Sequence, residues 1–262
     1  MIPLGSLLIQ GGEPKLSASA AMKLTETMHV LELSVPRGTD TMVLNLTLMN
    51  DGGSLILFDT GMPGYEEEIY ELIRKENLNP DHLDTVILTH QDIDHIGSLP
   101  EILHDYPDLR VLVHSADKPY VDGEEPLIKL SSNAKANLID TLPEEKRDRV
   151  GYMLDKTEPS LINETMEEGN EPVEGLTAVH TPGHAPGHIS LYHENSHTLI
   201  AGDALTAENG ELFGPRAEVT PDMEQAHHSL EKLLEFDMTT AVCYHGGIVH
   251  GDINQKIREI LS

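Results

Sequence analysis

Thr89-His90-Gln91-Asp92-Ile93-Asp94-His95-Ile96-Gly97 is the stretch that decides the reading of this chain. It follows Asp84 to Thr89, whose Val, Ile and Leu read as a fully buried strand. A helical pattern from Ser98 to Tyr106 comes next. His90, Asp92, Asp94 and His95 crowd two imidazoles and two carboxylates into six residues. All four side chains are metal donors, and the mixture suits zinc, iron or manganese. An ordinary polar loop at a strand end has no reason to concentrate these two residue types.

Four single residues farther out occupy matching places. Asp59 follows Leu55-Ile56-Leu57-Phe58 and precedes Thr60-Gly61. His184 lies in Thr181-Pro182-Gly183-His184-Ala185-Pro186-Gly187-His188, where prolines and glycines impose a shaped loop. Asp203 follows Leu199-Ile200-Ala201-Gly202, and His245 follows Ala241-Val242-Cys243-Tyr244. A lone Asp at a strand end is usually a cap and a lone His is usually solvated. Four of them in order, each at the end of an expected strand, make a set.

With the motifs in that order, the chain from Thr27 to Ser262 resembles the metallo-β-lactamase superfamily. The family's second motif reads His-x-His-x-Asp-His, and Asp92 stands where its middle histidine would be. The resemblance implies an α/β fold: an αββα sandwich of two mixed sheets flanked by helices, with the metals at one edge of the sheets. It also implies two divalent ions, zinc in the first instance, with iron or manganese as the alternatives that a hard carboxylate at Asp92 raises. One ion takes His90, Asp92 and His184; the other takes Asp94, His95 and His245; Asp203 bridges them. Asp59 holds the motif loop without ligating. Asp94 is the expected proton shuttle, and His188, four residues from His184, is expected to touch substrate or brace a ligand. Cys243, inside a buried strand, is not expected to be a nucleophile.

Composition narrows the substrate. The chain has 262 residues, with 17 basic and 45 acidic, for a net charge of −28. A surface of that sign repels nucleic acid and anionic membranes. One cysteine excludes an internal disulfide and fits a cytoplasmic location, and no apolar run approaches the roughly 20 residues of a membrane span. Residues 1–21 lack the pattern of the rest and read as a flexible leader or appended extension. Residues 22–262 read as one hydrolase domain carrying an irregular insert at about 115–174. Thr220 is expected to cap a helix that starts at Pro221. His114 is expected to pack on the motif loop.

The resemblance then favours a hydrolase of small carboxylic esters or lactones acting through a metal-bridging hydroxide, because the loop from Thr181 to His188 resembles that of acyl-homoserine lactonases. A homodimer is common among those enzymes. Alternatives of the same fold are a diiron redox or metal-sensing protein, which Asp92 favours, and a phosphodiesterase or β-lactamase-type hydrolase.

Overall fold

Strand side chains alternate between two faces, and here both faces are buried. The computed structural model describes residues 19–37, 40–142, 144–155 and 160–262. In the run Ser54–Phe58, Leu55 and Leu57 enter one apolar cluster while Ile56 and Phe58 enter another. The next strand splits in the same way, Val86 to the first side and Ile87 to the second.

These runs belong to a seven-stranded sheet whose spatial order follows the chain. Its strands are β1 (Ala20–Lys23), β2 (Met28–Arg37), β3 (Asp40–Asp51), β4 (Ser54–Phe58), β5 (Leu83–Ile87), β6 (Arg110–His114) and β7 (Glu164–Met166). Pairing is antiparallel from β1 to β4 and parallel from β4 to β7. The second sheet contains β8 (Leu176–His180), β9 (Ile189–His193) and β10 (Thr198–Gly202). A hairpin of β11 (Thr206–Glu208) and β12 (Glu211–Phe213) precedes its last two strands, β13 (Thr240–Cys243) and β14 (Gly247–His250). The spatial order is β14-β13-β10-β9-β8, with β10 and β13 parallel and the other pairs antiparallel.

Helices cover the outer faces. Helix α1 (Glu66–Lys75) carries three glutamates in its first turn and Arg74 and Lys75 in its last, which suits the helix dipole. It buries Ile69, Leu72 and Ile73 against the first sheet. The short α2 (Ile93–Ile96), α3 (Leu99–Asp105), α4 (Lys118–Val121), α5 (Ser132–Thr141) and α6 (Glu144–Asp155) follow. On the second sheet, α7 (Met223–Leu233) contributes Leu230 and Leu233, and α8 (Ile253–Leu261) contributes Ile253 and Ile257. Between the sheets, Met28, Met49, Phe58 and Leu112 meet Leu176, Ile189, Leu191 and Ile200. The order is helix, sheet, sheet, helix, so the αββα expectation holds.

Several local expectations are corrected. Ala20 and Ala21 do not belong to a loose leader: they pair with Glu32 and Leu31, and Ser19 Oγ accepts from Ser34 N at 3.1 Å. Residues 1–18, where the rest of that expectation falls, lie outside the described residues. The insert holds the short helices α4, α5 and α6, as its composition suggests, and adds the edge strand β7, which its composition does not announce. Helix α7 starts at Met223 rather than Pro221, because Asp222 caps Gln225 N at 2.9 Å and the Thr220 hydroxyl is engaged elsewhere. His114 does not pack on the motif loop; its ring stacks on His180 at 3.9 Å between centroids. No helix among the described residues is long and apolar enough to cross a membrane.

Candidate metal centre

Parallel strands end at the same edge of a sheet, and this brings distant residues together. Asp59 leaves the end of β4, and Thr89 and His90 follow β5. Asp94 and His95 ride on α2, directly after. On the second sheet, Asp203 follows β10 and His245 follows β13. His184 and His188 lie in the β8–β9 loop. A bond from Asn45 N to Tyr244 O at 2.9 Å ties β3 to the β13 end and closes the two sheets at this edge.

Asp59 is the hub behind the site. It is buried and adopts a positive φ of 61°, a conformation that Asp tolerates better than most residues. Its carboxylate accepts from Thr89 N at 2.7 Å, Thr89 Oγ1 at 2.8 Å and His95 Nδ1 at 2.8 Å. Thr89 Oγ1 also lies 3.0 Å from His90 Nδ1. With its own proton given to Asp59, that oxygen accepts from His90. Both imidazoles thereby have Nδ1 engaged and Nε2 aimed into the site.

His188 and Asp117 shape the other wall. His188 is buried, with Nδ1 2.8 Å from Thr181 Oγ1, and its Nε2 accepts from Asp203 N at 2.9 Å. It braces the backbone of Asp203. A Cβ on Gly202 would stand 2.7 Å from His188 Nε2, and Gly202 has a φ of 55°, so this position requires glycine. Asp117 accepts from Gln91 N at 2.9 Å and Gly187 N at 2.7 Å, which joins the motif loop to the His184 loop. Thr220 Oγ1 lies 3.2 Å from His184 Nδ1.

The expected donors converge. His90, Asp92 and His184 form one group with ligand atoms within 4.8 Å of one another, and Asp94, His95 and His245 form a second. Asp203 lies between them: Oδ1 is 3.4 Å from His95 Nε2, and Oδ2 is 3.3 Å from His184 Nε2 and 3.5 Å from His245 Nε2.

Electrostatics follow from this crowding. Burial, then repulsion from His95, drives the His90 pKa down to about 4. Burial and the neighbouring His90 and His184 hold His188 well below the ordinary histidine range. Burial alone would lower His245, but Asp203 and Asp94 outweigh it and raise it to about 9. Burial would raise Asp203 and Asp94, yet the histidines beside them keep both carboxylates ionised. Asp92 is held ionised against its own burial by His90, His184 and Lys129. The Cys243 thiol is pushed up, chiefly by burial, and is inert.

Divalent ions fit this donor set. His90 Nε2, His95 Nε2 and Asp203 Oδ1 are buried without hydrogen-bond partners, an arrangement that is costly unless a cation satisfies it.

Sequence reading missed Thr89, Asp117, Tyr244 and Lys129. Tyr244 packs its ring on His95 at 3.8 Å and donates to Asp94 O at 2.5 Å. Its place before His245 was a usable signal. Lys129 Nζ reaches Asp92 Oδ2 at 2.7 Å and lies 2.6 Å from His184 Nε2. It comes from the insert, where no local signal marks it.

Fold and donor set together define a metal-dependent hydrolase of the αββα class. A model of the metallo-beta-lactamase superfamily matches residues 40–245, and the chain belongs to that superfamily. It is 32% identical over 242 residues to YflN of Bacillus subtilis, a probable metallo-hydrolase, with 87% of each chain covered. Among solved structures, the metallo-beta-lactamase family protein TTHA1429 of Thermus thermophilus aligns with a TM-score of 0.63 at 23% identity. That alignment covers 91% of this chain and 79% of the other. TTHA1623, solved in a di-iron-bound form, aligns with a TM-score of 0.57 at 22% identity, over 84% and 93% of the two chains.

Proposed function

We propose that the chain is a dinuclear hydrolase of small carboxylic esters or lactones. His90, Asp92 and His184 would hold one ion and Asp94, His95 and His245 the other, with Asp203 placed to serve both. One observation carries the reading: three histidines from three separate segments approach the two oxygens of Asp203 to 3.3–3.5 Å. When bound, a pair of divalent ions supplies Lewis acidity toward the substrate carbonyl and a hydroxide near neutral pH. The chain supplies the rest. Asp94, with its side chain 22% exposed, takes up the proton at its carboxylate. Asp59 and Thr89 keep the His90 and His95 rings aimed, and His188 steadies Asp203. The net charge of −28 supports a small substrate over a nucleic acid. Zinc is the ion proposed first, and a cytoplasmic homodimer completes the proposal.

The test is to purify the chain without added metal, count ions, and assay chromogenic esters and lactones before and after Asp203→Ala. Two ions per chain and a loss of at least about 100-fold in kcat are expected. Full metal content with unchanged turnover in Asp203→Ala would falsify the site assignment.

Asp92 favours a second reading, a diiron redox or sensing protein, because a carboxylate in place of imidazole hardens the first donor set. Asp92→His separates the two. On the hydrolase reading it shifts preference toward zinc and keeps ester turnover. On the redox reading it removes iron and leaves no hydrolytic activity to keep.

A further inference from the structure

Lys129 stands inside the first donor set, and the mechanism does not use it. Its ammonium touches Asp92 Oδ2 at 2.7 Å and approaches His184 Nε2 to 2.6 Å. Those are the lone pairs that the first ion would need. The lysine is delivered there by a built support: Ile128 N donates to Gln91 Oε1 at 2.9 Å, and Gln91 is in turn held by Asp117. The insert is thus pinned to the motif loop one residue before the lysine. His90 and His184 also pair with Asp92 in the first donor set, but in the second set the ion pairs are those of His245 with Asp94 and of the shared Asp203 with His95 and His245, with no lysine among them. Among the described residues, a lysine thus stands in one donor set and none in the other.

An ammonium and a divalent ion cannot share the same lone pairs. Zinc–ligand bonds of about 2.0–2.2 Å would bring the ion between Asp92 and His184, where Nζ now sits. A tethered group competes at an effective concentration in the millimolar range or above. Its departure is easy, since the stem is flexible and the side chain is already 21% exposed. While it stays, it neutralises the extra carboxylate that distinguishes this site from an all-histidine one.

Building on the two-site reading above, we propose that Lys129 is a tethered competitor for the first ion. Its ammonium holds Asp92 and His184 until a divalent cation displaces it, so the Asp94–His95–His245 site fills first and the His90–Asp92–His184 site second.

The test is a zinc titration of the chelated full chain against a chromophoric competitor, with native mass spectrometry counting ions. Wild type, Lys129→Met and Lys129→Arg are compared. In wild type the two constants should differ by at least about tenfold, with the one-ion species dominant at one equivalent. In Lys129→Met the weaker constant should tighten by about tenfold or more while the tighter one stays within about twofold. Lys129→Arg should keep the wild-type gap, and Lys129→Gln serves if the Met variant does not fold. Two ions bound with the same two constants in wild type and Lys129→Met would overturn this proposal alone. No zinc retained by any of the chains would overturn it and the two-site reading together.

Discussion

Asp59 shows how one carboxylate organises several ligands. It bonds His95 directly and His90 through Thr89, so Asp59→Asn should disturb both rings although neither proposed ion touches it. Loss of such a support usually costs 10–100-fold in metal affinity. That range is expected for Asp59→Asn in competition with a chelator, with near-wild-type secondary structure by circular dichroism. An unchanged affinity would show that the rings are held by packing alone. His245 offers a pH test on the metal-free chain. Its folded pKa of about 9 lies above the ordinary 6.5, so protonated His245 contributes stability fully below about pH 6.5. That contribution fades as pH rises and is gone above about pH 9. It amounts to about 3 kcal/mol at most. Urea melts of chelated wild type and His245→Gln should therefore differ at pH 6 and converge by about pH 9.5. A constant difference across that range would mean that His245 is not paired with Asp94 and Asp203.

Strands matter here chiefly for where they stop. β10 ends in Gly202, whose left-handed backbone turns Asp203 into the site while His188 packs against the missing side chain. Gly202→Ala combines an unfavourable φ with a clash against a buried ring. A loss of about 2–4 kcal/mol is expected, read as a lower urea midpoint, together with weaker metal retention. Wild-type stability in this variant would mean that the β10 end relaxes freely and does not position Asp203. Gly246 has the same character, since a Cβ there would meet Ala207 O. The β11–β12 hairpin thus packs directly against the turn that carries His245.

Taken whole, the molecule is two sheets whose chemistry lies at one shared edge. The proposed ligands come from one loop of the first sheet and three of the second, so ions bound there would tie the halves together. Chelation should then lower Tm as well as abolish turnover. The stabilisation by ligand is about 4 kcal/mol when metal is present at a thousand times its Kd. Calorimetry with and without chelator checks this, and an unchanged Tm would show that the sandwich holds its edge without metal. The −28 charge adds a repulsive term between all parts of the surface, which salt should relieve.

Most of the site was legible without coordinates. His90, Asp92, Asp94 and His95 lie within six residues, and Asp59, Asp203 and His245 each close an apolar run while His184 sits in a Pro- and Gly-rich loop, so their order along the chain was enough to select them as candidates. The two layers of sheet were also expected, because the resemblance that these motifs carry implies them. Three features were not. β7 is three residues of ordinary composition that become a strand only because β6 offers an open edge. Thr220 looks like a helix cap until the fold places its hydroxyl beside His184. Lys129 lies 34 residues from His95 in a polar insert, and the bond between Ile128 and Gln91, remote in sequence, fixes the chain beside the first donor set. Residue type and spacing determined which groups can bind metal. Packing between segments remote in the chain decided which other groups face them, because side-chain neighbours across a sheet edge leave no periodic trace in the sequence.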